Sequence, residues 1–499
     1  MALARLYSRG QRGMDAYEVI VETHLAGGLP GFTICGLPAA AVRESKDRVR
    51  AALQSCGLAP PPRRITVHLG PADIPKEGGR FDLPIALGVV QTGQERSWQP
   101  ADVEFLGELA LDGELRPIRG ALPAVLAARE AGRTIVLPAA NAAEAALVGD
   151  ATCYCAKNVI EVIEHLDGNR TLQRVESAVG DSLPAPDLDL ADVAGQTQAK
   201  RALTIAAAGG HNLLFTGPPG SGKSMLAQRL PGLLPSLSGE DILTVMSIAS
   251  IAGETLQPGY SVGRPYRAPH HSASVAALVG GGSQPRPGEI SRAHLGVLFL
   301  DELPEFRRAA LESLREPLQS GSISIARAAQ SVTFPARFQL VAAMNPCPCG
   351  YLGDGSGRCN CSPTRVIDYR RRLSGPLIDR LDMHVEVPRV PYEQTRRIRP
   401  RGETAAVSAI VRAAQARQRD RCGKLNALLE HRELLGVATM DSGAQSLLGE
   451  AADRWNLSTR SCDRILKVAR TIADLAGAPD VTSAEIAEAV QLRCLDRPL

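Results

Sequence analysis

Aromatic residues are scarce in this 499-residue chain, since phenylalanine, tyrosine and tryptophan together make up only 4% of it. The apolar residues, 44% of the chain, are therefore mostly alanine, leucine, valine and isoleucine, a composition typical of helix-rich and α/β packing. A large charge of one sign is also missing, because the formal net charge is only +3. So small a net charge does not by itself indicate nucleic-acid binding, and any basic surface must be local.

Long apolar runs are missing as well. Nowhere do 18 apolar residues follow one another, so no transmembrane helix is expected. The first ten residues, MALARLYSRG, lack the apolar stretch of a signal peptide. We therefore expect a cytoplasmic protein that does not contact a membrane. The eleven cysteines are then predicted to be free thiols or metal ligands in a reducing compartment.

The N-terminal region, residues 1–175, alternates short β-like runs with helical ones. Strands are predicted at 64–70 (RITVHLG) and 134–138 (TIVLP) because both are rich in β-branched residues. A helix is predicted over 40–57, where a glycine provides the stop signal.

Composition changes mark the other boundaries. Residues 176–191 are rich in proline, serine and aspartate and predict a linker. Strand–loop–helix alternation with glycine-rich loops over 192–390 predicts a parallel α/β sheet. Apolar spacings of three and four predict a helical domain over 391–499.

A phosphate-binding loop is predicted within 211–230, which contains the pattern G-x-x-x-x-G-K-[ST] between an apolar strand and a helical pattern. Its glycines let backbone N–H groups approach phosphates, Lys223 would reach the β- and γ-phosphates, and the Ser224 hydroxyl would hold Mg²⁺. The helix N-terminus adds partial positive charge. The predicted nucleotide-binding residues are Gly217, Pro218, Pro219, Gly220, Ser221, Gly222, Lys223, Ser224 and Met225.

Two further apolar strands end in polar residues. Asp301 and Glu302 follow the first, where Asp301 can hold Mg²⁺ and Glu302 can polarise the attacking water. Asn345 follows the second and can orient that water, although taken alone it would rather indicate a turn before a proline. Arg380 lies among acidic residues, so from the residues alone it is equally a neighbour-directed arginine finger or a surface arginine paired with an aspartate.

Four cysteines form two C-x-C pairs that are separated by a turn-rich loop. Four thiolates can hold a structural Zn²⁺ tetrahedrally, but the spacing within each pair is one residue shorter than the usual C-x₂-C. Reduced thiols on a loop remain the alternative. The candidate zinc ligands are Cys347, Cys349, Cys359 and Cys361.

Seven segments together resemble the magnesium-chelatase-like AAA+ ATPases, in the branch called ComM or YifB. The resemblance implies an AAA+ P-loop α/β core with a helical lid, preceded by a Lon-protease-like α+β domain of the ribosomal S5 domain 2 type. The segments are DVAGQ (192–196), GPPGSGKS (217–224), RPYRAPHHSAS (264–274), PRPGEISRAHLGVLFLDEL (285–303), AAMNPCPCG (342–350), LSGPLIDRLD (373–382) and RSCDRILKVARTIADL (460–475).

The resemblance also implies residue roles. Segment 192–196 would lie against the adenine, 247–295 would carry a hairpin insert that faces a pore, and 322–330 would form a second pore hairpin that contains Arg327. His270 and His271 are expected to position the insert rather than to bind metal. The implied catalytic residues are Lys223 (Walker A), Asp301 and Glu302 (Walker B), Asn345 (sensor 1), Arg380 (arginine finger) and Arg460 (sensor 2), with Arg464 as the second choice for sensor 2.

Residues 71–88 and 105–138 resemble the proteolytic domain of Lon, in which a serine and a lysine form the catalytic dyad. The serine position falls near Arg80 and the lysine position near Leu122, and neither residue can play the role. Ser45 and Lys46 are adjacent, but neighbours in a helix do not face each other. We therefore expect a Lon-like fold without the protease.

The family resemblance implies a ring, expected to be a hexamer, that hydrolyses ATP with Mg²⁺ and drives branch migration of DNA joints during natural transformation or homologous recombination. DNA contacts are expected from the pore segments and, less strongly, from Arg370–Arg372. The alternatives are a magnesium-chelatase-type motor that inserts metal into a porphyrin, an ATP-dependent protease, which the missing dyad disfavours, and a non-catalytic assembly factor.

Overall fold

The computed structural model of the chain forms two compact units. The first comprises Met1–Ser182, Gly239–Val262 and Ala328–Thr333, and the second comprises Leu183–Ser238, Gly263–Arg327 and Phe334–Leu499. The units thus interleave along the chain, and Gly239–Val262, inside the range predicted for the ATPase core, belongs to the first. The structure describes residues 2–177, 188–254, 263–282, 285–327, 330–395 and 400–496.

The N-terminal 177 residues supply most of the first unit. Their strands are β1 (Ala2–Arg12), β2 (Asp15–Ala26), β3 (Gly31–Cys35), β4 (Arg64–Gly70), β5 (Val103–Phe105), β6 (Glu108–Leu109), β7 (Leu115–Arg116), β8 (Thr134–Pro138), β9 (Cys153–Ala156) and β10 (Gln173–Arg174). Their helices are α1 (Ala40–Arg43), α2 (Ser45–Ser55), α3 (Asp82–Gly93), α4 (Ala121–Glu130), α5 (Ala142–Ala145) and α6 (Val159–Leu166).

The first unit is built on a mixed eight-stranded sheet with the order β10-β9-β8-β5-β1-β2-β4-β3. Strands β1 and β2 form a long antiparallel hairpin from Ala2 opposite Leu25 to Arg12 opposite Asp15. Side chains of β2 alternate between buried and less buried, because successive residues of a strand point to opposite faces. Helix α3 packs on β1 and β2 and is buried along most of its length.

The remaining residues supply the second unit and, to the first unit, helix α9 and the beginning of β17. Their strands are β11 (Leu213–Thr216), β12 (Tyr266–Arg267), β13 (Gly280–Gly281), β14 (Arg286–Pro287), β15 (Val297–Leu300), β16 (Ser322–Arg327), β17 (Gln330–Pro335), β18 (Gln339–Met344) and β19 (Met383–Glu386). Their helices are α7 (Thr197–Gly209), α8 (Lys223–Leu233), α9 (Gly239–Ala252), α10 (Val275–Val279), α11 (Glu289–Arg292), α12 (Arg308–Glu312), α13 (Pro317–Ser320), α14 (Pro363–Arg371), α15 (Gly375–Ile378), α16 (Tyr392–Thr395), α17 (Glu403–Cys422), α18 (His431–Val437), α19 (Ser442–Trp455), α20 (Thr459–Ala476) and α21 (Ser483–Gln491).

The second unit is centred on a five-stranded sheet with the order β12-β15-β18-β11-β19, and every pairing in it is parallel. Strands β11, β15 and β18 are buried throughout, as expected for a parallel sheet whose two faces are covered. Because parallel strands end at the same edge, the residues that follow these three strands are brought together.

The C-terminal helices pack into the same hydrophobic core as the sheet. Ile465 and Ile472 of α20 join Phe215 of β11 and Leu226 of α8 in one buried cluster. Helix α20 is strongly amphipathic: its apolar residues recur at spacings of three and four and face this core. The helical region predicted after residue 391 is thus anchored to the core of the parallel sheet.

The strands predicted at 64–70 and 134–138 have those bounds. The range predicted for the second hairpin, 322–330, is too short, because it contains β16 but only the first residue of β17, which continues to Pro335. The helix predicted over 40–57 is wrong in its continuity, because it breaks at Glu44 into α1 and α2. Neither glycine nor proline marks this break. Most of the predicted linker, residues 178–187, lies outside the described residues. Within the part of the chain that the structure describes, every helix is too short or too polar to span a lipid bilayer.

Candidate nucleotide-binding site

A cavity of about 410 Å³ lies at the carboxyl edge of the parallel sheet. It is formed where the loops after β11, β15 and β18 meet, as the topology requires. The cavity brings together the predicted Walker A, Walker B and sensor 1 residues. It is lined by Pro219, Gly220, Ser221, Gly222, Lys223, Ser224, Met225, Asp301, Glu302, Met344 and Asn345.

The loop after β11 has the geometry of a phosphate cradle. A Cβ atom at Gly217 would lie 2.2 Å from the Val387 carbonyl oxygen, so only glycine lets the loop leave the sheet at this point. Helix α8 begins at Lys223 and directs its N-terminal N–H groups and its dipole toward the cavity.

Lys223 holds its ammonium group inside this cradle. Its Nζ donates to the carbonyl oxygens of Gly217 (2.8 Å) and Pro218 (3.0 Å) and lies 3.4 Å from Oδ1 of Asn345. Burial lowers the pKa of Lys223, against the opposing effect of Asp301 and Glu302. A buried cation that is paired mainly with neutral oxygens suits an incoming phosphate, because the phosphate supplies the missing negative charge.

The side chains of Ser224 and Asp301 fit a magnesium site. The Ser224 hydroxyl donates to Oδ2 of Asp301 at 2.7 Å. Adjacent ligands of an octahedral Mg²⁺ with bonds of 2.0–2.1 Å lie about 2.9 Å apart. The two oxygens therefore already have the separation that a shared Mg²⁺ requires.

Glu302 is held in an unusual conformation. Its φ of 52° lies in the left-handed region, which few non-glycine residues adopt. Its N–H donates to Oδ1 of Asp301 at 2.9 Å, and its Oε2 lies 3.0 Å from Nδ1 of His271. The His271 ring in turn packs against His270, at 4.1 Å between ring centroids, and Phe306.

Sequence reasoning missed this role of His271, which it assigned only to positioning the insert. The signal that could have indicated this contact was the RPYRAPHHSAS segment, which contains His271 and is one of the segments that carry the family resemblance. Gln196 was also missed as an individual residue. Its Nε2 donates to the carbonyl oxygens of Ser221 (2.9 Å) and Pro388 (2.6 Å), and these bonds tie segment 192–196 to the phosphate loop.

A second cavity, of about 270 Å³, collects the predicted arginines. The Arg380 guanidinium donates to the Pro376 carbonyl (2.8 Å) and to Oε1 of Gln319 (3.2 Å). Burial, together with repulsion from Arg315, Arg464 and Arg460, lowers the pKa of Arg380. The lining residues are Leu318, Gln319, Asp379, Arg380, Arg460 and Arg464, and none of these described residues lines the nucleotide cavity.

Arg460 and Arg464 differ within this second cavity. Arg464 donates to Oδ1 of the buried Asp382 at 2.5 Å, and its neighbours hold the pKa of that carboxyl well below its usual range despite burial. Arg460 is exposed at the first turn of α20. Arg464 thus has a structural partner, whereas Arg460 presents its charge at the surface of the cavity.

The four predicted zinc ligands converge. Their sulfur atoms all lie within 4.8 Å of one another. The Sγ of Cys347 is 3.3 Å from that of Cys349 and 3.8 Å from that of Cys359, and the last two are 3.6 Å apart. Four sulfurs at about 2.3 Å from a tetrahedral Zn²⁺ would be about 3.8 Å apart. The residues therefore fit a Cys₄ zinc site.

The predicted protease positions carry no nucleophile. Arg80 is buried and donates through Nη2 to the Arg119 carbonyl at 2.7 Å, and burial lowers the pKa of its guanidinium to about 10. Leu122 is buried as well, and its N–H faces Glu144 and Ser250. Ser45 is buried while Lys46 is exposed, so the pair cannot act as a dyad.

Family models match most of the chain. Residues 21–141 match the model "Subunit ChlI of Mg-chelatase", residues 189–395 match "Magnesium chelatase, subunit ChlI", and residues 401–493 match "Magnesium chelatase, subunit ChlI C-terminal". Over 505 residues, 100% of this chain and 99% of the relative, it is 47% identical to the competence protein ComM of Haemophilus influenzae. The chain belongs to the ComM/YifB family of magnesium-chelatase-like AAA+ proteins.

Two further relatives extend this result. The YifB protein of Salmonella typhimurium is 45% identical over 502 residues, 100% of this chain and 98% of the relative. A Lon protease of Mycolicibacterium smegmatis is 29% identical over 136 residues, 26% of this chain and 17% of the relative. Family membership implies ATPase activity, and the nucleotide cavity described above is the site that fits it.

Proposed function

We propose that this chain assembles into a ring, with six subunits as the family expectation, in which ATP·Mg²⁺ is hydrolysed between neighbouring subunits. The observation that carries the proposal is the separation of the catalytic groups into two cavities. One cavity offers a phosphate cradle, a magnesium pair and an acid, and the other offers arginines. Phosphoryl transfer needs both sets, because an arginine must neutralise the transition-state charge. A second copy of the chain supplies the missing set.

Each residue then has a defined task. Lys223 binds the β- and γ-phosphates, Ser224 and Asp301 hold Mg²⁺, and Glu302 orients the attacking water. Asn345, 3.4 Å from the Lys223 ammonium, orients the γ-phosphate and that water. Arg380, with Arg460 beside it, reaches the γ-phosphate held by the neighbouring subunit.

We infer that the polymer moved by this ring is DNA, single-stranded or branched, and that the work is branch migration during natural transformation or homologous recombination. The full-length similarity to a protein named for competence supports this. Of the arginines predicted to contact DNA, Arg371 and Arg372 are both exposed, and Arg372 is also paired with Glu305 at 2.9 Å. The Arg327 side chain and residues 396–399 lie outside the described residues.

We further propose that the four clustered cysteines hold a structural Zn²⁺, because their sulfur separations are close to those of a tetrahedral site. The free thiols of a cytoplasmic protein, the compartment that we expect, would be available as ligands. When bound, zinc would supply a rigid crosslink and no catalysis, since four protein ligands leave it no open position.

The proposal is tested by steady-state ATP hydrolysis without DNA and with single strands, duplex and a four-way junction, using Lys223→Ala as the inactive control. We expect DNA to raise the rate and the junction to be resolved in an ATP-dependent manner. If no DNA changes the rate of the wild-type protein while Lys223→Ala is inactive, the ATPase stands and its assignment to DNA is wrong.

A chelatase-type motor is the second candidate, because all three matching family models carry the magnesium-chelatase name. Metal insertion into protoporphyrin with the partner subunits of a chelatase would favour it over DNA. Insertion absent under conditions in which DNA stimulates hydrolysis would exclude it.

A further inference from the structure

The cysteine loop, residues 347–361, packs against residues that line the nucleotide cavity. Gly350 follows Cys349 directly and is buried. A Cβ atom at Gly350 would lie 2.8 Å from Cδ of Pro219 in the phosphate loop and 3.8 Å from Cγ of Asn345. The backbone of the cysteine loop is therefore packed against two lining residues of the cavity.

The cysteine loop is also joined to Asn345 through the chain. Cys347 is buried two residues after Asn345, and the Gly350 N–H donates to the Cys347 carbonyl at 3.0 Å. The turn Cys347–Gly350 thus begins beside Asn345 and returns to the phosphate loop. Any movement of Cys347 or Cys349 displaces this turn, because only three bonds along the backbone separate each cysteine Cα from the next Cα.

The outer part of the loop is organised by its own contacts. The Arg358 guanidinium lies 4.0 Å from the centroid of the Tyr351 ring and 3.3 Å from a carboxylate oxygen of Asp354. The Asp354 carboxylate also accepts hydrogen bonds from the N–H and hydroxyl of Ser356. These contacts bring Cys359 and Cys361 back to the first pair, so one ion can close the loop at its base.

We infer that the metal held by the four cysteines controls the ATPase site: Zn²⁺ fixes the turn that presses Gly350 against Pro219 and Asn345, and loss of Zn²⁺ slows hydrolysis. This inference rests on the proposed ATPase function and goes beyond a structural zinc, because it links metal occupancy to the catalytic rate. Zn²⁺ acts here through position alone. ATP binding by Lys223 and the helix N-terminus is retained, so the effect falls on kcat rather than on nucleotide affinity.

The first experiment compares the wild-type protein with the double variant Cys359→Ser/Cys361→Ser. Zinc content is measured by atomic emission, hydrolysis by steady-state kinetics, and folding by circular dichroism. We expect one zinc per wild-type chain, no zinc in the double variant, and a fall in kcat of about tenfold or more with less than a threefold change in KM for ATP.

A pair of glycine variants separates the mechanical contact from the metal. Gly350→Ala inserts a methyl group against Pro219, whereas Gly353→Ala carries similar backbone strain, φ +78° against +85°, with nothing within 4 Å of its Cβ. We expect both variants to keep their zinc, Gly350→Ala to lose kcat by about tenfold, and Gly353→Ala to change it less than twofold.

The outcomes are distinguishable. If the wild-type protein contains no zinc, the proposed zinc site is wrong. If the double variant is folded and free of zinc but has the wild-type kcat, the proposed dependence of hydrolysis on zinc is wrong. If the double variant fails to fold, the glycine variants decide. Equal kcat values of Gly350→Ala and wild type would then show that the contact between Gly350 and Pro219 does not affect hydrolysis. A wild-type rate no higher than that of Lys223→Ala would instead refute the proposed ATPase, whatever the zinc content.

Discussion

The two cavities of the second unit contrast in charge and in composition. The nucleotide cavity contains two carboxylates and one ammonium group, and it is shaped largely by backbone. The arginine cavity contains three guanidinium groups and one carboxylate. The two cavities therefore differ in net charge: the first can bind phosphate and magnesium, and the second has more cations than anions.

This contrast supports the proposal that a single copy of the chain is an incomplete catalyst. Burial, and after it the nearby charges of Arg315, Arg464 and Arg460, lower the pKa of Arg380, so its charged form gains stability when a phosphate approaches. The nucleotide held in the first cavity of one subunit carries such phosphates. The difference between the cavities therefore favours a closed assembly in which every arginine cavity faces a neighbour's nucleotide.

The largest effects are expected from removing one member of each cavity. Lys223→Ala should abolish measurable hydrolysis, and Arg380→Ala should lower kcat by about a thousandfold, the lower end of the range for arginine fingers. When the two variants are coexpressed, about a quarter of the interfaces in a random ring combine an intact Lys223 with an intact Arg380. Hydrolysis should then recover to about a quarter of the wild-type rate.

The control is coexpression of Arg380→Ala with a second, differently tagged Arg380→Ala chain, which should remain inactive. If the mixture of Lys223→Ala and Arg380→Ala stays as inactive as its components although mixed rings form, Arg380 acts within its own subunit. In that case the reasoning from the two cavities is wrong.

A smaller effect is expected at His271, which contacts Glu302 in the nucleotide cavity. We propose that its imidazole orients the Glu302 carboxylate, to which we assigned the activation of water. Loss of a hydrogen bond to a charged group costs about 1.5 kcal/mol, or about tenfold in rate. His271→Ala should therefore lower kcat by about tenfold and leave KM for ATP unchanged. Steady-state kinetics measures both quantities.

His271→Gln is the matched variant, because an amide N–H can still donate to Glu302. It should recover most of the rate. A faster rate in His271→Ala than in wild type would contradict this interpretation, since it would mean that the histidine restrains Glu302 instead of orienting it.

The nucleotide cavity could be predicted from the sequence because each of its parts is local. An apolar run followed by a short polar signal marks the end of β11, β15 and β18, and parallel strands bring these ends together. The contact between His271 and Glu302 could not be derived in this way. It depends on the path of the chain through β12 and α10, which no periodicity encodes.

The arginine cavity was harder to predict from the sequence, since it joins segments that lie far apart in the chain. Arg464 meets Asp382 across 82 residues, and this contact depends on how α20 packs against the sheet. The same limit applies to α9, whose packing on α4 in the first unit is not indicated by its sequence. The predicted domain boundaries and site roles remain predictions.

The smallest effects should separate Arg460 from Arg464. Arg460 is exposed, so Arg460→Ala should lower the ATPase rate only about threefold, with an unchanged melting temperature. Arg464→Ala removes the arginine partner of the buried Asp382, which keeps its contacts with the His211 ring and the Asn212 N–H. The loss should cost about 3 kcal/mol of stability, measured by thermal unfolding. Arg464→Lys keeps the charge and should retain both stability and rate. A different result, in which Arg460→Ala leaves the rate unchanged and Arg464→Lys lowers it, would assign the sensing of the neighbour's nucleotide to Arg464. Lysine keeps the positive charge but cannot form the two parallel hydrogen bonds of a guanidinium, so the lost rate would be due to that geometry.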